Sequence, residues 1–269
     1  QMHVDMQDAR ISGNTTWITT DGGIYRSDDF FTTEAAKQVR NNGIHGTDWW
    51  GFGSGWNEDI LVGGAYHNGN SAYYETYDTG EFLNLGGGEA PTGYVNPGPG
   101  RKAYFSDIGG RTVPISITGA FQNISLSKYP NESYWAAESS ELEFAPECYN
   151  HLYLGEDNTL WRSADGGNNF LALFQFPASG YTLAGIEISR FNPQVIYAAQ
   201  RNNGGALWRS DNGGANFTPV NIPPVASGNT NRIVLSLSAI DANHLYIAYP
   251  GGGNGYKVYE TTDGGQNWN

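Results

Sequence analysis

The segment that decides the fold is Trp161-Arg-Ser-Ala-Asp-Gly-Gly-Asn-Asn-Phe170. It recurs as Trp208-Arg-Ser-Asp-Asn-Gly-Gly-Ala-Asn-Phe217 and as Tyr259-Glu-Thr-Thr-Asp-Gly-Gly-Gln-Asn-Trp268. Each copy reads Ser/Thr-x-Asp/Asn-x-Gly-x-x-aromatic. Short polar side chains accept N–H bonds within a turn, and glycine supplies a positive φ. The segment therefore predicts a tight β-hairpin whose aromatic residue returns to the hydrophobic layer.

This pattern resembles the Asp-box (BNR-like repeat), the hairpin signature of sialidases, sortilin-type receptors and related secreted β-propellers. The resemblance implies an all-β propeller of four-stranded blades, with the boxes stabilising turns on the rim. It therefore carries information on fold and little on function. The residues with this structural role are Ser163, Asp165, Gly167, Phe170, Ser210, Asn212, Gly214, Phe217, Thr261, Asp263, Gly265 and Trp268.

The spacing of the boxes gives the repeat length. Asp165 and Asn212 are 47 residues apart, and Asn212 and Asp263 are 51 apart. A period near fifty, with about four short strands, is the size of a propeller blade. We predict one propeller domain over residues 1–269, with units at 1–40, 41–88, 89–125, 126–178, 179–224 and 225–269. Because Gln1 is not an initiator and Asn269 directly follows a box, we expect these units to belong to a larger ring or longer chain.

The first three units carry weaker boxes. The run 21–27, Asp-Gly-Gly-Ile-Tyr-Arg-Ser, leads into a degraded box, because Phe31 stands where glycine is expected. Residues 78–82 read as a shortened box, and Asp107-Ile-Gly-Gly110 stands where the third box is expected. Residues 112–134 show no repeat signal, which we interpret as one elaborated connection.

Composition narrows the functional class. The chain has 37 Gly, 17 Tyr and 8 Trp and a formal net charge of −13. This acidity argues against nucleic acid and anionic membranes as partners, and no apolar stretch is long enough to span a bilayer. The single cysteine, Cys148, excludes an intramolecular disulfide and is interpreted as an inert core residue. We expect an extracellular or cell-surface protein, of a kind more typical of bacteria.

Two classes of enzyme have candidate catalytic residues in this chain. Sialidases clamp a carboxylate with three arginines, but Arg26, Arg162 and Arg209 hold repeat-equivalent positions before a box serine, so we reject that interpretation. The run 20–26, Thr-Asp-Gly-Gly-Ile-Tyr-Arg, resembles a segment that carries a catalytic Asp in xyloglucan-cleaving two-propeller hydrolases. That resemblance makes Asp21 a candidate, with Asp107 as a possible second carboxylate. The alternative is that Asp-Gly-Gly simply forms a turn.

Aromatic residues cluster before Ile60. If Trp49, Trp50 and Trp56 lie on an inner strand, their rings can stack on sugars. The alternative is that they fill the wedge between blades. Near the start of the chain, His3, Asp5 and Asp8 do not converge on one face of a strand, and we predict neither a metal nor another cofactor.

The leading hypothesis is a non-catalytic extracellular or cell-surface propeller module that binds a protein or a polysaccharide. The first alternative is a glycoside hydrolase of the xyloglucan-cleaving type that uses paired Asp residues. The second is a structural subunit of a surface filament or large assembly.

Overall fold

The structure is a computed structural model that describes residues 5–43, 49–55, 57–65, 68–87, 93–128, 142–177, 182–201, 205–224, 233–249 and 257–269. Within these ranges the regular secondary structure is β-strand, apart from one short 3-10 helix at Glu34–Ala36. The strands form six antiparallel sheets, five of four strands and one of three, and consecutive strands pair in chain order in every sheet.

The first three sheets come from the first half of the chain. Sheet 1 comprises β1 (Met6–Ser12), β2 (Thr15–Thr20), β3 (Gly23–Ser27) and β4 (Gln38–Val39). Sheet 2 comprises β5 (Trp49–Ser54), β6 (Ile60–Ala65), β7 (Gly69–Tyr74) and β8 (Leu83–Gly86). Sheet 3 comprises β9 (Tyr94–Val95), β10 (Lys102–Phe105), β11 (Gly109–Thr112) and β12 (Gln122–Ile124).

The other three sheets follow in the second half. Sheet 4 comprises β13 (Leu142–Ala145), β14 (Cys148–Glu156), β15 (Thr159–Ser163) and β16 (Leu171–Gln175). Sheet 5 comprises β17 (Thr182–Ile188), β18 (Ile196–Arg201), β19 (Ala206–Ser210) and β20 (Thr218–Val220). Sheet 6 comprises β21 (Val234–Leu237), β22 (Leu245–Tyr249) and β23 (Lys257–Thr261).

The sheets stack through their faces, with the first strands close together. Strand β5 contacts β9, β13 contacts β17, and β17 contacts β21, so the first strand of each of these sheets lies on the inner side of the stack. Successive residues of a strand point to opposite faces, so both neighbours of a sheet share its core residues. In β14, Leu152 and Leu154 pack towards sheet 3, whereas Tyr153 packs towards sheet 5. Burial of both faces explains why these strands read as almost continuous apolar runs.

One interpretation of the early repeat is wrong. Asp107 lies in the turn between β10 and β11, the second and third strands of sheet 3, whereas the clean boxes follow the third strand of their sheets. The sequence Asp-x-Gly-Gly is compatible with the backbone conformation of a turn after either the second or the third strand, so it does not distinguish these two positions. The fourth strand, β12, lies within residues 112–134, where no repeat signal was found.

Candidate functional site

In sheets 1, 4, 5 and 6 a hydroxyl group holds the turn that follows the third strand; we name these four turns the outer turns. In sheet 4, Ser163 Oγ accepts hydrogen bonds from the N–H groups of Asp165 (3.3 Å) and Gly167 (2.8 Å). It also donates to Asp165 Oδ1 at 2.8 Å, so this buried hydroxyl is fully used. The same three bonds recur in sheets 5 and 6, where they join Ser210, Asn212, Gly214, Thr261, Asp263 and Gly265.

The acidic side chains of the outer turns are occupied within their own turns. Asp165 accepts bonds from the side chain and the backbone N–H of Asn169 at 2.7 and 3.0 Å. These bonds lower the pKa of Asp165 to about 2, and the bond from the Asn169 side chain has the largest effect. The backbone N–H of Asn267 is the largest cause that lowers the pKa of Asp263 to about 2. Both carboxylates are therefore ionised at neutral pH and act as acceptors that fix the turn.

In sheets 4, 5 and 6 the second glycine of the outer turn touches the preceding sheet. Its φ is about +90°, which L side chains rarely adopt, and an added Cβ would meet an aliphatic side chain of the neighbouring sheet. The distances from that Cβ are 2.2 Å for Gly167 to Leu126, 2.6 Å for Gly214 to Leu173 and 2.3 Å for Gly265 to Val220. The aromatic residues that end these turns pack into the hydrophobic layer between their own sheet and the preceding one; they are Phe170, Phe217 and Trp268.

A fourth outer turn forms where the sequence pattern is degraded. Ser27 Oγ accepts from the N–H groups of Asp29 (3.1 Å) and Phe31 (3.0 Å), and it donates to Asp29 Oδ1 (2.6 Å). Phe30 and Phe31 both have φ of +60°, like the two glycines that they replace. Hydrogen bonds lower the pKa of Asp29, and the bond from the Ser27 hydroxyl has the largest effect. The spacing Ser-x-Asp alone could have indicated this turn.

The two candidate catalytic carboxylates lie in turns between second and third strands, which we name the middle turns. Asp21 Oδ1 accepts from Gln7 Nε2 at 2.6 Å, and its carbonyl accepts from Asn68 Nδ2 at 3.0 Å. Asp107 accepts from Nδ2 of the buried Asn70 at 2.9 and 3.1 Å. The segment 68–70 in sheet 2 thus contacts both residues from opposite sides. The structure places Asp21 and Asp107 on one edge of the stack, with different partners.

Two of the aromatic candidates, Trp49 and Trp50, lie on the first strand of sheet 2. Trp49 is partly buried, and its ring centroid is 6.1 Å from that of Phe82, which is 6.0 Å from that of Tyr73. We name these three residues the aromatic row. Phe82 is 49% exposed, so the row reaches the surface. Trp56 lies outside the described residues, as does the side chain of Trp50; sequence reasoning missed Tyr73 and Phe82, which lie beyond the tryptophan cluster.

A glycine makes room for this row. A Cβ on Gly63 of β6 would lie 2.5 Å from Cε3 of Trp49 and 2.5 Å from the carbonyl of Gly51. The Trp49 ring therefore lies directly on the backbone of the sheet. Phe52, which pairs with Gly63 across β5 and β6, is on the same face and is 61% exposed.

The three repeat-equivalent arginines do not form a common cluster. The guanidinium groups of Arg26, Arg162 and Arg209 each lie over an aromatic ring of their own sheet, at 5.9, 5.7 and 5.5 Å from its centroid. Across the described ranges, no three His, Cys, Asp or Glu side chains converge as a metal site would require, and His3 lies outside those ranges. In the same residues no helix is long and apolar enough to cross a bilayer.

The sequence matches no protein-family profile and no curated protein. Solved structures with a similar fold include the GH74 enzyme of Niastella koreensis, at 14% identity and a TM-score of 0.57, covering 96% of this chain and 43% of that one. The GH74 xyloglucanase of Xanthomonas campestris gives 12% identity and a TM-score of 0.52, with 94% and 44% coverage. YCF48 of Cyanidioschyzon merolae gives 12% identity and a TM-score of 0.51, covering 98% of this chain and 84% of that one.

These likenesses concern the fold. This chain spans less than half of each GH74 protein. Together with six antiparallel sheets that stack by their faces in chain order, they identify the architecture as a β-propeller with the sheets as blades.

Proposed function

We propose that this chain is a non-catalytic, extracellular or cell-surface β-propeller module that binds polysaccharide. The observation that carries the proposal is the aromatic row of Trp49, Phe82 and Tyr73, with the 61% exposed Phe52 on the same face of the sheet. A surface on which several large aromatic side chains are exposed together is more often a binding site than a chance feature of the fold. Their flat apolar faces suit the C–H faces of sugar rings.

The proposed absence of catalysis rests on where the acidic residues lie. Glycosidases place two carboxyl groups on either side of the scissile bond, and one of them acts as the acid. Asp21 and Asp107 instead serve as acceptors for Gln7, Asn68 and Asn70, which hold the middle turns. We further propose that the outer turns are Asp-boxes with a stabilising role.

We also propose that residues 1–269 form one propeller domain, with the unit boundaries predicted above. The net charge of −13 supports a polysaccharide or protein partner over nucleic acid, whose phosphates it would repel. The chains with the same fold include two GH74 proteins, one of them a xyloglucanase.

Glycoside hydrolysis is the second candidate function. The observation in its favour is that Asp21 and Asp107 lie on one edge of the stack, linked through the segment 68–70. An Asp21→Asn variant separates the two functions, because it removes the candidate base while keeping the turn.

A panel of immobilised polysaccharides tests the proposal, with retention and released reducing ends measured on the same samples. We expect retention without release, unchanged in Asp21→Asn and lost in Trp49→Ala. Release that disappears in Asp21→Asn would establish the hydrolase instead. Retention on no polysaccharide would overturn the proposal and favour a protein ligand.

A further inference from the structure

The junction between sheets 1 and 2 differs from the later ones at one repeat-equivalent position. In the second strand of each of these sheets, one residue pairs with the serine of the outer turn. The residue directly after it is Trp17 in sheet 1, Tyr153 in sheet 4 and Tyr197 in sheet 5. Tyr153 is 4% and Tyr197 0% exposed, whereas Trp17 is 36% exposed. The bulkiest of the three side chains is therefore the least covered.

The neighbouring sheet is what covers these tyrosines. Tyr153 packs with Leu183 and Ile186 of sheet 5. Tyr197 packs with residues of sheet 6 and donates a hydrogen bond to the carbonyl of Ala242 at 3.1 Å. By the same alternation, Trp17 lies on the face of sheet 1 that is turned towards sheet 2.

The opposing wall belongs to sheet 2. Val62 and Ala72 pack against sheet 3, so their neighbours along the strands point to the other face, towards sheet 1. Trp49 and Phe52 lie on that face, beside Gly63. On the first strand of sheet 5, Ile186 and Ile188 face sheet 4 and are only 1% and 5% exposed, whereas Phe52 on the first strand of sheet 2 is 61% exposed.

The two walls are joined at one end. Asn68 Nδ2 of sheet 2 donates to the carbonyl of Asp21 in sheet 1 at 3.0 Å. Trp17 of sheet 1 and the aromatic residues of sheet 2 thus lie on facing sides of two sheets that a hydrogen bond joins at the edge of the middle turns. We name the space between these sides the aromatic cleft and define it by Trp17, Trp49, Phe52, Tyr73 and Phe82.

The charges around the cleft favour a neutral ligand. Arg26, which lies over the Trp17 ring, is paired with Asp28 at 2.7 Å. Arg10, opposite Trp17 on β1, is paired with Asp8 at 3.1 Å. Both cations are compensated, and the chain as a whole is acidic, so an anionic polymer would be repelled.

We propose that the aromatic cleft binds a neutral, unbranched glycan, with successive pyranose rings stacked between Trp17 on one wall and the aromatic row on the other. This inference rests on the proposed function and adds the second wall and the ligand class. A pyranose whose hydroxyl groups are equatorial exposes C–H bonds on both faces, which matches a cleft with rings on both sides. Side branches would collide with a wall.

The test measures binding of cellohexaose by isothermal titration calorimetry, with polygalacturonate and branched xyloglucan oligosaccharides as comparison probes. We expect Trp17→Ala and Trp49→Ala each to weaken cellohexaose binding about tenfold or more. Tyr246→Ala is the matched control, because Tyr246 holds the equivalent position in sheet 6 and is 40% exposed. It should leave the affinity unchanged, and the comparison probes should bind at least tenfold more weakly.

The outcomes separate the cleft from the proposed function. Loss of binding in Trp49→Ala with full binding in Trp17→Ala would refute the cleft and leave the function standing. Binding of the acidic or branched probe as tight as that of cellohexaose would also refute it. Binding of no glycan would overturn both.

A measurement on the unaltered chain avoids variants that fail to fold. Tryptophan-selective oxidation, read by peptide mass spectrometry, should be slowed by cellohexaose at Trp17 and unaffected at Trp268, which packs in the layer between sheets 5 and 6. Equal rates at Trp17 with and without the glycan would contradict the cleft.

Discussion

The guanidinium group of Arg209 lies against the backbone of Gly264, which belongs to the next blade. A Cβ on Gly264 would be 2.0 Å from Nη1 of Arg209. The arginine cannot easily withdraw, because it donates to the Tyr197 hydroxyl (2.9 Å), to Asn243 Oδ1 (2.8 Å) and to Asp211 (2.8 Å). One side chain of sheet 5 therefore fixes the outer turn of sheet 6.

Gly264→Ala should lower the free energy of unfolding by about 2–4 kcal/mol, since it combines a left-handed backbone with a steric clash. Gly13→Ala is the control, because Gly13 also has a positive φ but has nothing within 4 Å of an added Cβ. It should cost only about 1 kcal/mol. Urea unfolding of both variants measures the difference, and equal losses would show that the Arg209 contact is not rigid.

Phe30→Gly should stabilise the chain by about 1 kcal/mol. Phe30 has φ of +60° and is 55% exposed, so glycine relieves backbone strain with little loss of packing. The control is Phe191→Gly, at an exposed position without a positive φ, which should destabilise. Thermal unfolding of both variants gives the signs, and a fall in Tm for Phe30→Gly would show that the phenyl ring contributes contacts that outweigh the strain.

The sequence is sufficient to predict the outer turns because their hydrogen bonds join residues within a few positions of each other. Ser163, Asp165 and Gly167 contain all the information that the turn needs. The order of the sheets follows in the same way from the repeat. The sequence pattern underestimates the turn at Ser27, because its hydrogen bonds hold Phe30 and Phe31 at a positive φ that phenylalanine rarely adopts.

Properties that depend on the fit between blades could not be predicted. Trp17 and Tyr197 occupy equivalent positions in equivalent strands, yet one is exposed and the other buried. The difference comes from the sheet that faces them, and no feature of their own strands encodes it. The link from the segment 68–70 to both Asp21 and Asp107 is likewise a contact between units.

Asp165→Asn should be nearly neutral at pH 7, because Asn212 performs the same role in sheet 5. The pKa of Asp165 is depressed to about 2, so its contribution to stability is present above the usual value near 4 and is lost as the pH falls towards 2. The variant should therefore lose less stability than the parent between pH 4 and pH 2. Ser163→Ala is the contrast and should cost about 1–3 kcal/mol at pH 7, because it leaves the Gly167 N–H without its acceptor.

Gly63→Ala should displace the Trp49 ring, since the added Cβ would lie 2.5 Å from Cε3. We expect weaker retention on polysaccharide together with a loss of about 1–3 kcal/mol in stability, because the Gly51 carbonyl is also too close. Gly80→Ala serves as the control, at a turn glycine with nothing within 4 Å. It should keep full retention, and full retention in Gly63→Ala would argue against a role for Trp49.

Glu187 should make the stability of the propeller fall as the pH rises from about 4.5 to about 7. Glu187 on β17 is partly buried beside sheet 6. Desolvation raises the pKa of its carboxyl group to about 7, partly offset by the Leu237 backbone hydrogen bond and the charge of Arg190. Because the folded chain holds this proton more tightly than the unfolded chain, the stabilisation is complete below about pH 4.5 and is lost between about pH 4.5 and pH 7. The total change is about 3 kcal/mol. Glu187→Gln, which stays neutral, should flatten that part of the stability profile and raise the stability at pH 8, as measured by urea unfolding at several pH values. A parent profile that is flat over the same range would show that Glu187 is ionised and hydrated in the folded chain.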